Sequence, residues 1–349
     1  MSRIIIQNGN MCELDLPLKF AQKLYNEFAI RHPNAFYLRT RQRGMQNWDG
    51  KIHYITKTGQ FKIGLLPKVY DMCIEMGIKP KVVDMRQPLP KVSKVVTNIG
   101  KYKLRPEQEK AVKSVINNRV GDTPFHIGVL DYTVNAGKTL IMSSLYLTYK
   151  KQLKTLLITN DSDWLNQARE EFKQYLPGED ITFVQGKVLN WSNFTIGMVQ
   201  SISRNMRFYQ KELSQIDMVL VDEADQGGSK QYQNVITRLF NTRIRIGLSG
   251  TIYMSKLAKD KVKNMNLECF FGKVIAEFKL KDSIKKGYST KTIVKMVPGK
   301  PWYGNWESDC ISYKEIYDDS ITENNTAWTM AYNRLRWNIN QGRYPALVV

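Results

Sequence analysis

The run Phe125-His126-Ile127-Gly128-Val129-Leu130, followed after two residues by Thr133-Val134-Asn135-Ala136-Gly137-Lys138-Thr139, is the stretch on which the fold turns. Its first six residues are apolar enough for a buried strand. The spacing of Leu140, Ile141, Leu145 and Leu147 predicts a helix that reaches to about Lys151. A glycine and a lysine between a strand and a helix N-terminus let backbone N–H groups face phosphate oxygens. Lys138 would neutralise those oxygens and Thr139 would ligate Mg²⁺. The pattern G-x-x-x-x-G-K-[ST] lacks its first glycine, because Tyr132 holds that place. Taken alone, Gly137-Lys138-Thr139 reads equally well as the plain start of a helix.

A second stretch decides between those readings. Met218-Val219-Leu220-Val221 is an uninterrupted apolar run, as expected of a strand buried on both faces of a sheet, and it ends in Asp222-Glu223-Ala224-Asp225. Acidic clusters usually face solvent. One at the carboxyl end of a buried strand stands where α/β folds place their ligands. Asp222 would hold Mg²⁺ through water, and Glu223 would act as general base on the attacking water. With both stretches present the sequence predicts a nucleoside triphosphate site that takes ATP and Mg²⁺.

Outward from these stretches the texture is βα repetition. Apolar runs near 125–130, 155–159, 181–185, 194–199, 217–221 and 243–248 alternate with helical patterns, which predicts an α/β fold with a largely parallel sheet and helices on both faces. Ser283 to Val297 reads as extended, and Ile311 to Ile339 as helical. No internal repeat is visible.

Residues 1–95 form a different, smaller α+β unit. Ile4-Ile5-Ile6 reads as a strand and Leu18 to Ile30 as a helix. Ile52, Tyr54, Phe61 and Ile63 read as a hairpin about Thr58-Gly59, and a second helix is expected over Lys68 to Met76. Pro88-Leu89-Pro90, with Lys91 and Lys94, suggests a linker. Arg39, Arg41 and Arg43 alternate, so on a strand they would share one face. They are either a phosphate-binding stripe or the charged edge of a solvated strand. Trp48 either stacks on a base or plugs the small unit's core. Trp302, Tyr303 and Trp306 are equally ambiguous.

The chain of 349 residues carries a formal net charge of +20. Residues 1–100 hold 16 Lys and Arg against 7 Asp and Glu, a net of +9, which leaves +11 for the remaining 249. Such a balance suits a polyanion partner bound by counterion release, although surface lysines can also serve solubility alone. Cys12, Cys73, Cys269 and Cys310 are scattered, as are His32, His53 and His126, so neither a zinc site nor a disulfide framework is expected. The sequence shows no signal-peptide pattern and no apolar run near the ~20 residues of a membrane span, so a cytoplasmic protein without a membrane partner is expected.

The order of motifs resembles that of the superfamily 2 helicases. Leu104-Arg105-Pro106-Glu107-Gln108 is similar to the L-R-P-x-Q segment that opens these motors, and Thr133–Thr139 to motif I. Gln167 falls at the glutamine of motif Ia, where Asn160-Asp161 replaces the usual Pro-Thr pair. Gly197-Met198-Val199-Gln200-Ser201 resembles T-x-Q-S, Asp222–Asp225 is literally D-E-A-D, and Gly247-Leu248-Ser249-Gly250-Thr251 resembles motif III. The resemblance covers about residues 100–300. It implies a RecA-like, P-loop NTPase lobe over 100–282, with Arg105 in the nucleotide site and Gln108 at the adenine, although Gln108 read alone could simply cap its helix. It further implies that Ser249 and Thr251 couple the γ-phosphate to movement, and that Gln167, Gln200 and Ser201 contact the nucleic acid strand.

Asn47-Trp48-Asp49-Gly50-Lys51 followed by a hairpin resembles the small domain of phage UvsW-type helicases. That likeness implies an ATP-dependent DNA helicase acting on forks and Holliday-type junctions in replication, recombination or repair, inside the phage's host cell. Arg39, Arg41, Arg43, Trp48 and Lys51 would then face DNA. The resemblance also implies a second RecA-like lobe in the same chain. Residues 283–349 are expected to hold a linker and only the start of that lobe, with Pro345-Ala346-Leu347-Val348-Val349 as its first strand. D-E-A-D is shared with RNA helicases, so an RNA helicase is the alternative. Another is a fragment that binds ATP and DNA without turnover. A third, the motor subunit of a restriction enzyme, lacks a P-D…[DE]-x-K nuclease pattern here.

Overall fold

The computed structural model describes residues 2–41, 47–149, 152–186, 191–252 and 260–291, together with Thr329, Tyr332, Asn333, Arg336 and Asn340. It divides into a unit Met1–Thr290 and a second unit Lys291–Val349. The expected helix over Ile311–Ile339, the closing strand at 345–349 and the aromatics Trp302, Tyr303 and Trp306 fall largely or wholly outside the described residues.

The chain opens with β1 (Arg3–Ile6) and β2 (Met11–Asp15), an antiparallel pair whose alternation puts Ile4, Ile6, Cys12 and Leu14 on the buried face. There follow α1 (Leu18–Glu27), β3 (Ala29–Arg31), α2 (Ala35–Arg41), β4 (Lys51–His53), β5 (Gln60–Lys62), α3 (Leu66–Glu75) and β6 (Lys81–Asp84). One sheet has the order β5-β2-β1-β6, and β3 pairs separately with β4.

Three expectations need correction here. The first helix stops at Glu27, not Ile30: Phe28 N–H closes onto Leu24 O, and the next residues pair with Lys51–His53 as a strand. The hairpin about Thr58-Gly59 exists only as a bridge between Ile55 and Phe61, with Gly59 at φ +83°, because its two arms join different sheets. Arg39 and Arg41 lie on a helix, not a strand, so the stripe fails, since residues two apart on a helix point to different sides. Good helix formers precede them, and the Thr40 hydroxyl is satisfied within the helix by Phe36 O at 3.0 Å. Arg43 lies outside the described residues.

Two short antiparallel pairs, β7 (Asn98–Ile99) with β8 (Tyr102–Lys103) and β9 (Arg119–Val120) with β10 (Thr123–Pro124), flank α4 (Pro106–Ile116). The expected repetition follows. It runs β11 (His126–Tyr132), α5 (Lys138–Thr148), β12 (Thr155–Thr159), α6 (Ser162–Tyr175), β13 (Ile181–Val184) and β14 (Phe194–Met198). It continues with α7 (Val199–Arg204), α8 (Gln210–Ser214), β15 (Met218–Asp222), α9 (Lys230–Ile236), β16 (Ile244–Ser249), α10 (Lys261–Phe271), β17 (Val274–Phe278) and α11 (Leu280–Lys285). The sheet order is β13-β14-β12-β15-β16-β11-β17, every neighbour parallel, and the lobe has the RecA-like α/β fold. β11, β12, β15 and β16 are buried along their whole length, which explains their largely apolar runs, with Arg245 the exception inside β16. β17 was not anticipated from the sequence. Nor is Ser283 extended: it sits in α11, where its side chain is fully buried.

The small sheet and the lobe share one core. A single cluster runs from Ile4, Ile6, Phe61 and Val69 through Phe125 and Ile127 to Tyr232 and Phe271. Gly64 lets α10 approach so closely that a Cβ there would lie 2.1 Å from Glu268 O. Arg245, in the middle of β16, is fully buried and donates to Gly9 O at 2.6 Å, Asn10 Oδ1 at 2.8 Å and Phe270 O at 3.2 Å. It has no carboxylate partner among its hydrogen bonds, and burial pushes its guanidinium well below the usual range.

Candidate nucleotide site and nucleic-acid surface

β11 ends in Tyr132, which is ordinary strand and needs none of the freedom of the missing glycine; its hydroxyl donates to Glu107 O at 2.8 Å. The chain then turns, with Ala136 N–H on Thr133 O at 3.2 Å, Asn135 at φ 63° and Gly137 at φ 74°. Gly137 is required twice, by its left-handed backbone and because a Cβ would lie 2.3 Å from Gln108 Nε2. α5 starts directly at Lys138; Leu140 and Ile141 N–H bond Gly137 O, which leaves the N–H groups of Lys138 and Thr139 at the start of the helix for a phosphate.

Lys138 reaches across to the end of β15. Its Nζ lies 3.1 Å from Glu223 Oε1 and 3.4 Å from Asp222 Oδ1. Burial pulls the lysine's pKa down, but the two carboxylates outweigh it and hold it above the usual value. Burial raises Asp222, with the nearby ammonium opposing. Asp222 Oδ1 is buried and makes no hydrogen bond of good geometry, so it retains an unused acceptor. Glu223 adopts φ 50° and ψ 53°, a left-handed conformation that is costly for a residue with a side chain and typical of functional turns. These residues fit a Mg²⁺-bound nucleotide. The Asp222 carboxylate, the Lys138 ammonium 3.4 Å from it and the start of α5 lie together. Among the described residues no three His, Cys, Asp or Glu side chains could enclose an ion by themselves. A divalent ion on Thr139 and Asp222 would therefore take its other ligands from phosphate and water.

The carboxylate turn is wired to β16. Ser249, fully buried at the end of that strand, donates from Oγ to Asp225 Oδ1 at 3.1 Å and accepts from Thr251 N–H at 3.2 Å. Asp225 was read in the sequence only as part of a motif; its partner could not be found there, since the link joins two separate strands. On the other side Gln108 is buried. Its Oε1 accepts from Arg105 N–H at 2.8 Å and its Nε2 donates to Ala136 O at 2.9 Å, so it both caps α4 and braces the phosphate loop.

The residues expected to touch the strand are mostly engaged internally. Gln167 donates to Glu171 Oε1 at 2.6 Å, Gln200 to Asn160 O at 3.3 Å, and Ser201 Oγ accepts from Gly186 N–H at 3.0 Å. Asn160 also bonds Gln226, tying the end of β12 to the carboxylate turn.

On the small unit Arg31, Phe36, Arg39, Thr40, Asp49 and Lys51 line a cavity of about 520 Å³. Phe36 is 80% exposed beside these cations, and Arg31 joins Arg39 from β3; neither carries a recognisable signal in the sequence. Arg41 turns away and lies over the Tyr37 ring at 5.0 Å. Trp48 is half-buried, packs edge-on against His32 and donates to Lys51 O at 2.9 Å, so it is neither a core plug nor free. His53 sits 2.6 Å from Asp49, and that hydrogen bond holds the Asp49 carboxyl below the usual range.

Residues 101–254 match the family described as "Type III restriction enzyme, res subunit". The "ATP-dependent DNA helicase uvsW" of Enterobacteria phage T4 is 22% identical over 59% of this chain, which spans only 43% of that protein's length. The crystal structure of the UvsW helicase from bacteriophage T4 superposes with a TM-score of 0.61 at 21% identity, covering 80% of this chain and 99% of that one. A second T4 UvsW structure gives 0.59 at 20% identity, covering 78% of this chain and 56% of that one. The chain resembles the UvsW-type superfamily 2 helicases. The UvsW likeness extends beyond the lobe, since it covers four-fifths of the chain whereas the family match stops at 254. No helix among the described residues is long and apolar enough to cross a membrane.

Proposed function

We propose that this chain carries the first RecA-like lobe and a DNA-binding unit of an ATP-dependent DNA helicase or translocase that acts on branched DNA. The observation that carries the reading is the convergence of Lys138, from the start of α5, with Asp222 and Glu223, from the end of β15, and Ser249 hydrogen-bonded to Asp225 beside them. Lys138 and the first turn of α5 would bind and orient the β- and γ-phosphates. Mg²⁺ held at Thr139 and Asp222 supplies neutralisation of phosphate charge. Glu223 would accept a proton from the attacking water at its carboxylate, once phosphate draws Lys138 away from it. A change in the position of Asp225 would pass through Ser249 to Thr251, which is how turnover would reach the rest of the motor. The domains that go with this reading are a DNA-binding unit over 1–95, the lobe over 100–282, and a linker with the start of a second lobe over 283–349.

Net charge and the cation-lined cavity on the small unit support a nucleic-acid track, and the likeness to a protein named as a DNA helicase supports DNA rather than RNA. The deciding experiment measures ATP hydrolysis with a forked DNA, a linear duplex and an RNA of the same sequence. The fork should stimulate most. Stronger stimulation by RNA would turn the reading to an RNA helicase, and ATP binding without any turnover would leave a binding fragment.

A further inference from the structure

One wall of the phosphate loop comes from a distant part of the chain. Phe278 O, at the end of β17, accepts from Thr133 N–H at 3.0 Å, at the root of the loop. Lys279 pairs with Asp131 at the end of β11. Lys286 Nζ then lies 2.7 Å from Glu107 Oε2, and Tyr288 places its ring against Arg105, with the guanidinium carbon 4.1 Å from the ring centroid. Tyr288 is held from behind: its N–H donates to Ser283 O at 2.9 Å, and the Ser283 and Ser289 hydroxyls are 2.6 Å apart. Neither partner belongs to the core, since Arg105 is exposed and Tyr288 is 36% exposed.

Arg105 holds the N-cap position of α4, the helix whose Gln108 accepts from Arg105 N–H and donates to Ala136 O inside the phosphate loop. The backbone of Arg105 is therefore joined to the loop by a two-bond path through Gln108. A nucleotide anchored by its phosphates on Lys138 must lay its base against whatever surface lies beside the loop. A guanidinium held flat by an aromatic ring offers a planar cationic face, which suits a purine far better than a mobile arginine does.

We infer that Tyr288 is a base-positioning residue, holding Arg105 flat so that the purine of a bound nucleotide stacks on the pair. The inference rests on the nucleotide reading above. If Tyr288 were only a surface contact, its loss would leave nucleotide handling unchanged; if it merely supported the loop, its loss would weaken phosphate binding as well.

The test uses the full 349-residue chain with Tyr288→Ala and Tyr288→Phe. It measures binding of a fluorescent ADP analogue and the inhibition of that binding by tripolyphosphate, which has phosphates and no base. Tyr288→Ala should weaken the ADP analogue by about tenfold, the scale of one lost stacking contact. Tripolyphosphate should compete as in the wild type, and Tyr288→Phe should bind normally. Unchanged ADP binding in Tyr288→Ala, or an equal loss for tripolyphosphate, overturns the assignment. A wild type that binds no nucleotide overturns the site itself, and the role of Tyr288 with it.

Discussion

Two groups of cations sit in this unit under opposite conditions. Lys138 is largely buried, and both of its carboxylate partners lie within 3.4 Å. Arg39, Arg41 and Lys51 stand on the surface of the small unit, and Asp49 is the acid in the cavity that Arg39 and Lys51 line. Charges of the first kind interact strongly because water is excluded, and their geometry is fixed to tenths of an ångström. Charges of the second kind act through their sum and are screened by salt. One group can do chemistry on a phosphate, whereas the other can hold a polyanion without reading it.

The sharpest way to break this comparison is Lys138→Ala. ATP turnover in the complete protein should fall about 1,000-fold, as for loss of a preorganised charge at the reacting centre. DNA affinity should stay near wild type. A normal turnover rate would mean that the loop has been misassigned. Next comes Glu223→Gln, which should cost about 100-fold in turnover because an amide cannot take the water's proton. Equilibrium binding of ATP and Mg²⁺ should persist, since Thr139 and Asp222 remain. Weakened Mg²⁺ binding would instead make Glu223 a metal ligand.

The surface group should respond differently. Replacing Arg39, Arg41 and Lys51 together by alanine should weaken fork binding about tenfold at low salt. It should also make the dependence of log affinity on log salt shallower by about two to three. Basal ATP hydrolysis should not change. A triple variant that keeps both its salt slope and its preference for forks over linear duplex would return these cations to the role of a solvated face. The smallest effect is on pH. Asp222 is raised by burial. A carboxyl raised on folding favours the protonated fold, so its contribution is fully present below the ordinary Asp value and lost as pH rises through the raised one. Mild acid should therefore weaken Mg²⁺–ATP binding before it unfolds the chain, while DNA binding through arginines holds across the same range. Titrating both affinities downward from neutral pH checks this.

The lobe was legible because its strands are buried on both faces. Burial on both sides writes an unbroken apolar run into the sequence, and the chemistry falls at the strand ends, where a short motif can mark it. β17 escaped because only its alternate residues Ala276 and Phe278 are buried, and a five-residue strand at the sheet edge leaves little pattern. The small unit was harder for the same reason. β3, β4 and β5 have three residues each, too few to show a period, and Arg39-Thr40-Arg41 carries no apolar residue to fix the phase of a helix. Links across the fold were invisible in principle. Nothing in the spacing of Asp225 and Ser249, or of Arg105 and Tyr288, announces that they meet.

The fully buried Arg245 has a consequence for how this protein can be cut. Its guanidinium takes acceptors from Gly9 and Asn10 on one side and Phe270 on the other. A lobe separated from residues 1–95 would keep that cation but lose two of its three acceptors, and would open the apolar core that it shares with the small sheet. A stranded buried charge and an opened apolar face both favour unfolding. The small sheet and the first lobe should thus melt in a single transition, and neither should survive as a soluble piece without the other.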